Sequence, residues 1–527
     1  MANGKKAIRK FGIRDCIGYA FGDFGNDFTF ILSSTFMMIF YTDVMQVPST
    51  IVGGLMMAAR FVDAFTDVAM GQIVDRCKPG KKGKFAPWIR RMCGPVAVAS
   101  LLLYASWFKD MPMAFKIFWM FLTYLLWGSV CYTGINIPYG SMASAITDQP
   151  DQRTLLSTFR NLGATLANTI IGVVLPLVVY YYDESGRQIL SGTNMSIAAL
   201  VCSIGAVICY LLCYNLTTER VEVPQKTEKF SLKTLGLQLV HSRPLIGIVV
   251  SALILLLTQL TISGLGPYLY PYYFGNSGMM SIATACLTVM SIVFAFIIPT
   301  LTKRSGKKEL AAVGSIIGAV AFFILFVIHT DNQAVFLVLY AIGQLGIAFF
   351  NTLCWAMITD VIDEDEVRNG ERSDGTIYSV YSFARKLGQA LSAGLVGAIV
   401  GAIGYNAEVF DQGVADAMYN CATIIPAIGF VLLALALIFL YPLSKKKVDK
   451  NSAILADWRE HPENRKQPTG TKSQGGQKSN FAQNQRSYKP CLWDCFAGMW
   501  HHNICTSRSV CFRYHESSSV FACEYCT

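Results

Sequence analysis

Three ionisable side chains in the strongly apolar stretch 47–74 are the most informative residues of this sequence. Arg60, Asp63 and Asp67 follow i, i+3, i+7 spacing, so all three lie on one face of a helix, with the two carboxylates one turn apart. Two carboxylates this close repel each other in an apolar environment unless a cation lies between them. Such a pair is suited to hold a proton or to coordinate a monovalent cation through oxygen.

A buried salt bridge is the alternative interpretation, with Arg60 simply neutralising Asp63. The first apolar stretch, however, carries a second acidic pair with one-turn spacing, Asp23 and Asp27. One arginine cannot neutralise all of these carboxylates, and an unpaired buried charge is strongly destabilising. The pattern therefore favours a functional site.

The compensating basic residues lie in later apolar stretches. Arg160 lies in the stretch 154–181, and Arg385 and Lys386 lie in the stretch 375–403. Neighbouring residues point about 100° apart around a helix, so only one of Arg385 and Lys386 can point directly into a shared cavity. Acids from the first half of the chain and bases from the second would then line one interior.

The stretches that carry these charges indicate an all-α integral membrane protein. Of the 527 residues, 53% are hydrophobic and 15% are charged, against about 25% charged in an ordinary soluble domain. This composition excludes soluble globular, coiled-coil, collagen-like and disordered chains. A transmembrane helix needs about 20 apolar residues. Twelve stretches meet that need: 15–42, 47–74, 89–107, 113–146, 154–181, 195–215, 244–272, 277–301, 309–329, 334–362, 375–403 and 416–441.

The basic residues between these stretches set the orientation in the membrane. Lys and Arg cluster within 76–91, 220–243 and 303–308, whereas the loops of opposite parity carry few. The positive-inside rule then predicts that both termini are cytoplasmic. The formal net charge of +10 is explained by this arrangement, and no nucleic-acid partner is predicted.

Two short motifs recur in corresponding spans of the two halves. Ile146-Thr147-Asp148 follows the fourth stretch and Ile358-Thr359-Asp360 follows the tenth, while Arg160-Asn161-Leu162-Gly163 parallels Arg385-Lys386-Leu387-Gly388. Such repeats indicate a duplicated six-helix unit, the major facilitator architecture, which places a substrate between the halves. The predicted domains are an N-terminal six-helix bundle (1–215), a cytoplasmic central loop (216–243), a C-terminal six-helix bundle (244–441) and a cytoplasmic tail (442–527).

The tail is predicted to be disordered or extraneous. Residues 449–527 are polar and then rich in Cys, His, Trp and Ser, but their Cys and His spacing matches no compact zinc motif closely. No metal site and no cofactor is therefore predicted. The chain also lacks a phosphate loop, a Ser-His-Asp set and a zinc protease motif, so the sequence predicts no enzyme.

Ionisable residues at the cytoplasmic ends of the spans form a further candidate set. They are read either as interlocking pairs of a cytoplasmic gate or as a solvated loop face. The candidates are Asp75, Arg76, Asp148, Asp360 and Asp363.

Four ordered motifs resemble the glycoside–pentoside–hexuronide:cation symporter family. They are Gly25-Asn26-Asp27-Phe28, Tyr41-Thr42-Asp43, Ala59-Arg60-Phe61-Val62-Asp63-Ala64-Phe65-Thr66-Asp67 and Gly83-Lys84-Phe85-Ala86-Pro87-Trp88. The resemblance extends over about residues 10–448. It implies that Asp63 and Asp67 hold the coupling cation, with Tyr132 and Thr133 beside them.

The resemblance also implies a sugar site. Asp27 and Arg160 match the sugar-binding acid and base of the family, and Lys386 matches the lysine that links the cation site to the sugar site. We add Asp23 and Arg385 to the predicted substrate-binding residues because of their charge and position. Trp127 and Tyr132, midway along the fourth stretch, are placed to stack on a sugar face.

Asn136 separates this chain from the melibiose branch of the family, which has a sugar-contacting aspartate there. An aspartate would repel a uronate carboxylate, whereas a neutral amide can hydrogen-bond to it or to a hydroxyl. The sequence therefore predicts a β-glucuronide or other uronide as substrate, with a neutral pentoside or xyloside as second choice.

The resulting prediction is a monomeric cell-membrane symporter that imports its glycoside with Na⁺ or H⁺ by alternating access. Two rival functions stay open on the same scaffold, a lysophospholipid-type transporter and a non-transporting sensor.

Overall fold

The computed structural model describes residues 9–80, 82–221, 242–370, 374–407 and 409–461. The first half of the chain forms seven α-helices and one antiparallel hairpin of two short strands. These elements are α1 (Ile13–Ile39), α2 (Ser49–Arg76), α3 (Ala86–Leu103), α4 (Met113–Leu125), α5 (Thr133–Ile146), α6 (Pro150–Val179), β1 (Tyr180–Tyr182), β2 (Gln188–Leu190) and α7 (Gly192–Leu216). Short π-helical segments, Phe40–Val44 and Leu126–Tyr132, continue α1 and join α4 to α5.

The second half forms eight α-helices in the described ranges. They are α8 (Arg243–Tyr272), α9 (Gly278–Ser305), α10 (Lys307–Ile328), α11 (Gln333–Gly343), α12 (Leu345–Asn369), α13 (Asp374–Ile403), α14 (Gln412–Leu435) and α15 (Lys445–Glu460). A π-helical segment, Ala436–Leu440, extends α14.

Nine helical segments of the described ranges are long and apolar enough to cross a membrane, which confirms the predicted all-α membrane class. Both α1 and α2 are also long helices, but their ionisable residues lower their hydropathy. The predicted number of twelve spans and the cytoplasmic position of both termini stay predictions.

The predicted tail, residues 442–527, begins with a helix, because residues 445–460 form α15. This helix packs against α12: Lys447 Nζ lies 2.6 Å from a Glu364 carboxylate oxygen, and the Asn451 amide donates to Glu364 at 2.7 Å. Leu455 is buried. These contacts stabilise a helix whose sequence is too polar to pack by apolar burial alone. Residues 462–527, with the Cys and His residues of the tail, lie outside the described residues.

The two halves meet along α2 and α13, where glycines bring the backbones together. A Cβ atom on Gly53 would lie 2.8 Å from the Cα of Gly397, and one on Gly397 would lie 2.6 Å from the carbonyl oxygen of Ser49. Small residues at helix interfaces permit such close approach in membranes. The helices α6 and α9 form a second seam, in which Ser281 Oγ donates to the Val173 carbonyl at 2.7 Å.

We call the end of the bundle that carries the β1–β2 hairpin and the C-terminal ends of α8 and α13 the hairpin face. Three hydrogen bonds of tyrosine hydroxyls join the halves there. Thr42 Oγ1 and Tyr268 Oη are 2.9 Å apart, Tyr405 Oη donates to Asp43 at 3.0 Å, and Tyr180 Oη donates to the Pro267 carbonyl at 2.9 Å. These hydrogen bonds hold the two halves together at the hairpin face, and we refer to them as the latch.

We call the opposite end, with residues 9–12 and α15, the terminal face. Ion pairs described there join elements of the same half. Asp15 pairs with Arg9 at 2.6 Å and with Arg220 at 2.9 Å, and Lys307 pairs with Asp360 at 2.6 Å. The described contacts between the halves thus concentrate toward the hairpin face.

Candidate functional site

The Asp63 carboxylate is buried and faces the segment that joins α4 to α5. It accepts a hydrogen bond from the Ser129 hydroxyl, and Arg60 Nη1 lies 3.5 Å from its other oxygen. A Cβ atom on Gly128 would lie 3.4 Å from Asp63, in ordinary van der Waals contact with the carboxylate. Arg60 therefore contacts Asp63 as the salt-bridge interpretation expects, but it does not reach the whole site.

The Asp67 carboxylate lies one turn further along α2 and is held from both halves of the protein. It accepts a hydrogen bond from Thr133 Oγ1 at 2.7 Å, and it forms an ion pair with the Lys386 ammonium of α13. Thr133 Oγ1 also lies 3.1 Å from the Gly128 carbonyl. The structure thus gathers carboxylate, hydroxyl and carbonyl oxygens between α2 and the α4–α5 junction, with one basic group at each carboxylate.

The register of the α4–α5 junction explains this set of oxygens. Ser129 and Thr133 lie four residues apart, as do Asp63 and Asp67, so each hydroxyl on one helix meets one carboxylate on the other. The π-helical segment Leu126–Tyr132 contains Ser129, and π-helical turns occur frequently at functional sites. Sequence reasoning missed Ser129, although the matched four-residue spacing on two neighbouring spans was the available signal.

The aromatic residues of the junction pack within the first half of the protein. The Tyr132 ring is stacked 5.9 Å from Phe30 and lies 5.4 Å from Trp127. Trp127 itself is fully buried, with its ring 5.8 Å from Tyr124. In this conformation its ring has no exposed surface on which a sugar can stack, so that role stays a prediction for another conformation.

Arg160 forms its described ion pair with Asp23 and not with Asp27, the acid that the sequence predicts as its partner in the sugar site. Arg160 Nε lies 3.1 Å from Asp23, and its guanidinium carbon lies 5.4 Å from the centre of the Tyr139 ring. The described ion pair thus involves Asp23 rather than Asp27, which lies one turn further along α1 and is half-buried. Asp23 and Arg160 bring together a half-buried basic group and a carboxylate, as a site for sugar hydroxyls requires.

A chain of hydrogen bonds connects Asn136 to Asn26 and Tyr210. Tyr210 Oη donates to the Asn26 amide oxygen at 2.8 Å, and the Asn26 amide nitrogen donates to the Asn136 amide oxygen at 3.4 Å. Because the Asn26 nitrogen donates to it, Asn136 accepts with its own oxygen, and its NH₂ group remains available as a donor.

Arg385 and Lys386 diverge around α13, as their adjacent positions predict. Lys386 pairs with Asp67 on α2, whereas the Arg385 guanidinium lies 5.7 Å from the Trp355 ring on α12. Of these two residues, it is therefore Lys386 that contacts the acidic pair of α2.

Among the contacts described, none joins a predicted gate residue of one half to a predicted gate residue of the other. Asp360 pairs with Lys307 of its own half. Arg76 and Asp148 are exposed, Asp363 is half-buried, and the Asp75 side chain lies outside the described residues. A gate between the halves made of these residues stays a prediction. Among the residues described, no group of three or more His, Cys, Asp or Glu side chains is placed to hold a metal ion.

Comparisons with known sequences agree on one group of proteins. The sequence model of the family described as MFS/sugar transport protein matches residues 18–445. A glucuronide carrier protein homolog of Escherichia coli (strain K12) is 30% identical over 439 residues, which covers 82% of this chain and 93% of the relative. An isoprimeverose transporter of Lactiplantibacillus pentosus is 31% identical over 443 residues, which covers 83% of this chain and 90% of the relative.

Solved structures share the fold at lower sequence identity. The crystal structure of a D-xylose-proton symporter has a TM-score of 0.55 and 15% identity, and covers 82% of this chain and 98% of its own. A bacterial homolog of the human lysosomal transporter Spinster has a TM-score of 0.60 and 11% identity, and covers 87% of this chain and 100% of its own. At these identities the likeness concerns the fold alone.

Proposed function

This chain belongs to the MFS/sugar transport protein family, and from that premise we propose that it imports a glycoside together with a monovalent cation by alternating access. The membership confirms the predicted family resemblance, and with it the major facilitator fold and a place in the cell membrane as a multi-pass protein. Proteins of this family are membrane transporters and not enzymes. The substrate we favour is a β-glucuronide or another uronide.

The observation that carries the cation-coupled mechanism is the ion pair between Asp67 and Lys386. It links α2 of one half to α13 of the other through one of the two carboxylates proposed to bind the cation. A Na⁺ or H⁺ that arrives at Asp67 competes with the Lys386 ammonium for the same oxygen atoms. Binding of the cation therefore releases a basic group of the second half, which is then free to bind substrate.

The membrane potential supplies enough energy for concentrative uptake by this route. One elementary charge that moves through about 100 mV gains about 2.3 kcal/mol. At about 1.4 kcal/mol for each factor of ten, that energy corresponds to about 40-fold accumulation of the sugar. The cation gradient adds to this value.

The orientation of the Asn136 amide supports an anionic substrate. The Asn26 amide occupies the oxygen of Asn136 and leaves its NH₂ group as a donor. Arg160 adds a half-buried guanidinium, which is paired with Asp23. Donors and a positive charge at one site favour a carboxylate, because hydrogen bonds to charged groups are stronger than those between neutral groups. The similarity to a glucuronide carrier homolog supports the same choice.

A neutral pentoside or xyloside is the second candidate, and the relative that is named an isoprimeverose transporter favours it. Neither of the two relatives described above is named as a lysophospholipid transporter. If the chain is a non-transporting sensor, we expect no uptake of either sugar.

Uptake into membrane vesicles tests the proposal. Labelled glucuronide and labelled xyloside are offered separately, with a Na⁺ gradient or a pH gradient imposed in turn. We expect glucuronide accumulation under one of the two gradients. Accumulation of xyloside alone would reject the uronide, and uptake that is independent of both gradients would reject cation coupling.

A further inference from the structure

A cavity lies at the hairpin face, well away from the acidic pair on α2. Its volume is about 280 Å³, and it is enclosed by the β1–β2 hairpin, the C-terminal end of α8 and the segment after α13. Asp43, which contributes to its wall, lies 16 residues beyond Asp27 on α1 and its π-helical extension. At 1.5 Å of rise per residue, that separation is about 24 Å.

We propose that this cavity is an entry site that binds one pyranose ring of the glycoside before the ring reaches the central site. This inference rests on the proposed glycoside transport function. The charge distribution of the loops predicts that the hairpin face is extracellular, so an imported solute meets this cavity first. The volume of about 280 Å³ is close to the lower bound of about 300 Å³ for small-ligand pockets, as expected for a single sugar ring.

The aromatic wall of the cavity is built to receive the apolar face of a sugar. The rings of Tyr405 and Tyr272 lie 5.1 Å apart, and those of Tyr272 and Phe410 also lie 5.1 Å apart. The Tyr272 hydroxyl donates to the Val409 carbonyl and accepts from the Asp411 amide, each at 3.0 Å. These bonds hold the Tyr272 ring in place, while Phe410 remains 43% exposed. Rigid rings that line a concave site give binding area at low cost in side-chain entropy.

Arg187 supplies a cation at the rim, and its neighbours hold it in position. Its Nε donates to Ser185 Oγ at 2.9 Å, and one Nη donates to Asp183 at 3.2 Å. Hydrogen bonds from Ser185 and from the Arg187 amide lower the pKa of Asp183, so this carboxylate stays ionised near neutral pH. The Arg187 guanidinium has five N–H donors, of which these side-chain bonds use two. The side chain is 37% exposed and can receive a uronate carboxylate.

Two residues of the cavity wall also latch the halves together. Tyr405 donates its hydroxyl proton to Asp43 across the interface between the halves, and both residues line the cavity. A sugar hydroxyl that donates to the Asp43 carboxylate replaces the Tyr405 hydroxyl there. A ligand shifts a conformational equilibrium only when it binds one state more tightly, and this exchange gives the sugar such a preference for the unlatched state.

Transport measured in both directions tests the entry site. Phe410→Ala removes an exposed ring of the wall, and Tyr182→Ala is the control, because Tyr182 is an aromatic residue of the β1–β2 hairpin that is 62% exposed but does not line the cavity. We expect Phe410→Ala to raise the KM of influx about 5-fold, as the loss of about 1 kcal/mol of aromatic contact predicts, without changing the KM of efflux. Tyr182→Ala should change neither value.

Arg187 provides a second, charge-specific test. Arg187→Gln should raise the influx KM for glucuronide about 10-fold, as the loss of a charged hydrogen bond predicts, with little effect on xyloside, and Arg187→Lys should restore part of the loss. Equal effects of Phe410→Ala on influx and efflux, or no effect of either variant, would overturn the entry site while leaving glycoside transport intact. A wild-type protein that transports neither glycoside would overturn the proposed function, and the entry site with it.

Discussion

Lys386 of α13 forms an ion pair with Asp67 of α2, and this contact joins the two halves through a carboxylate that also accepts the Thr133 hydroxyl. The hydrogen bond and ion pair described for the neighbouring carboxylate, Asp63, come from first-half residues, Ser129 and Arg60. The two acids therefore differ in kind. Asp63 belongs to a site within one half. Asp67 takes part in a contact between the two halves, so its ion pair depends on their relative position.

Removal of Lys386 should tighten cation binding and impair transport. In Lys386→Gln the Asp67 carboxylate no longer has a competing ammonium, so we expect the half-saturating cation concentration to fall about 10-fold, as one lost charged hydrogen bond predicts. The maximal uptake rate should fall at the same time, because the link to the second half is lost. Cation titration of sugar uptake and of sugar binding measures both values.

Arg385→Gln is the matched control for that experiment. Arg385 is the adjacent residue on α13, but it lies against the Trp355 ring of α12. Its removal should leave the cation dependence unchanged. An identical shift in both variants would show that the effect is one of general charge and not of the ion pair.

Asn136→Asp should discriminate against a charged sugar. The new carboxylate repels a uronate, and like charges brought together in this way cost several kcal/mol. We expect glucuronide uptake to fall at least 10-fold, with a smaller change for xyloside. Parallel uptake of the two sugars by Asn136→Asp and Asn136→Gln measures this effect, and an equal loss for both sugars in the aspartate variant would contradict the role given to Asn136.

Gly397→Leu should keep the halves apart at the hairpin face. Its side chain would start 2.7 Å from the Cα of Gly53, so α2 and α13 cannot keep their present contact. We expect loss of uptake and increased labelling of a cysteine placed at Tyr268 by an impermeant thiol reagent. Gly54→Leu is the control, since a Cβ there meets no atom within 4 Å, and it should retain uptake.

The sequence predicted the helical membrane class and the shared face of the acidic residues because both depend on local periodicity. The four-residue spacing places Asp63 and Asp67 on one side of α2 whatever the rest of the chain does. Likewise, the 100° step between Arg385 and Lys386 predicted that only one of them points to the cavity. Charges in an apolar stretch are informative because each must find a partner.

Partner choice between helices could not be read from the sequence. Arg160 reaches Asp23 rather than Asp27 because of how α6 approaches α1, and Trp127 is buried because α4 packs it against Tyr124. The β1–β2 hairpin was missed because its strands are three residues long and lie between two strongly apolar stretches. The turn residues Asp183 and Gly186 between β-favouring residues were its only local signal.

Uptake and exchange by Asp63→Cys show whether the Asp63 carboxylate holds the coupling cation. Without this carboxylate the cation has no site from which to drive the sugar, so the variant should lose accumulation of labelled glycoside above the external concentration. Exchange of labelled for unlabelled sugar across vesicles at equal concentrations should continue, because it requires no cation gradient. If Asp63→Cys still accumulates the glycoside against its gradient as the wild type does, the carboxylates of α2 are not the coupling site.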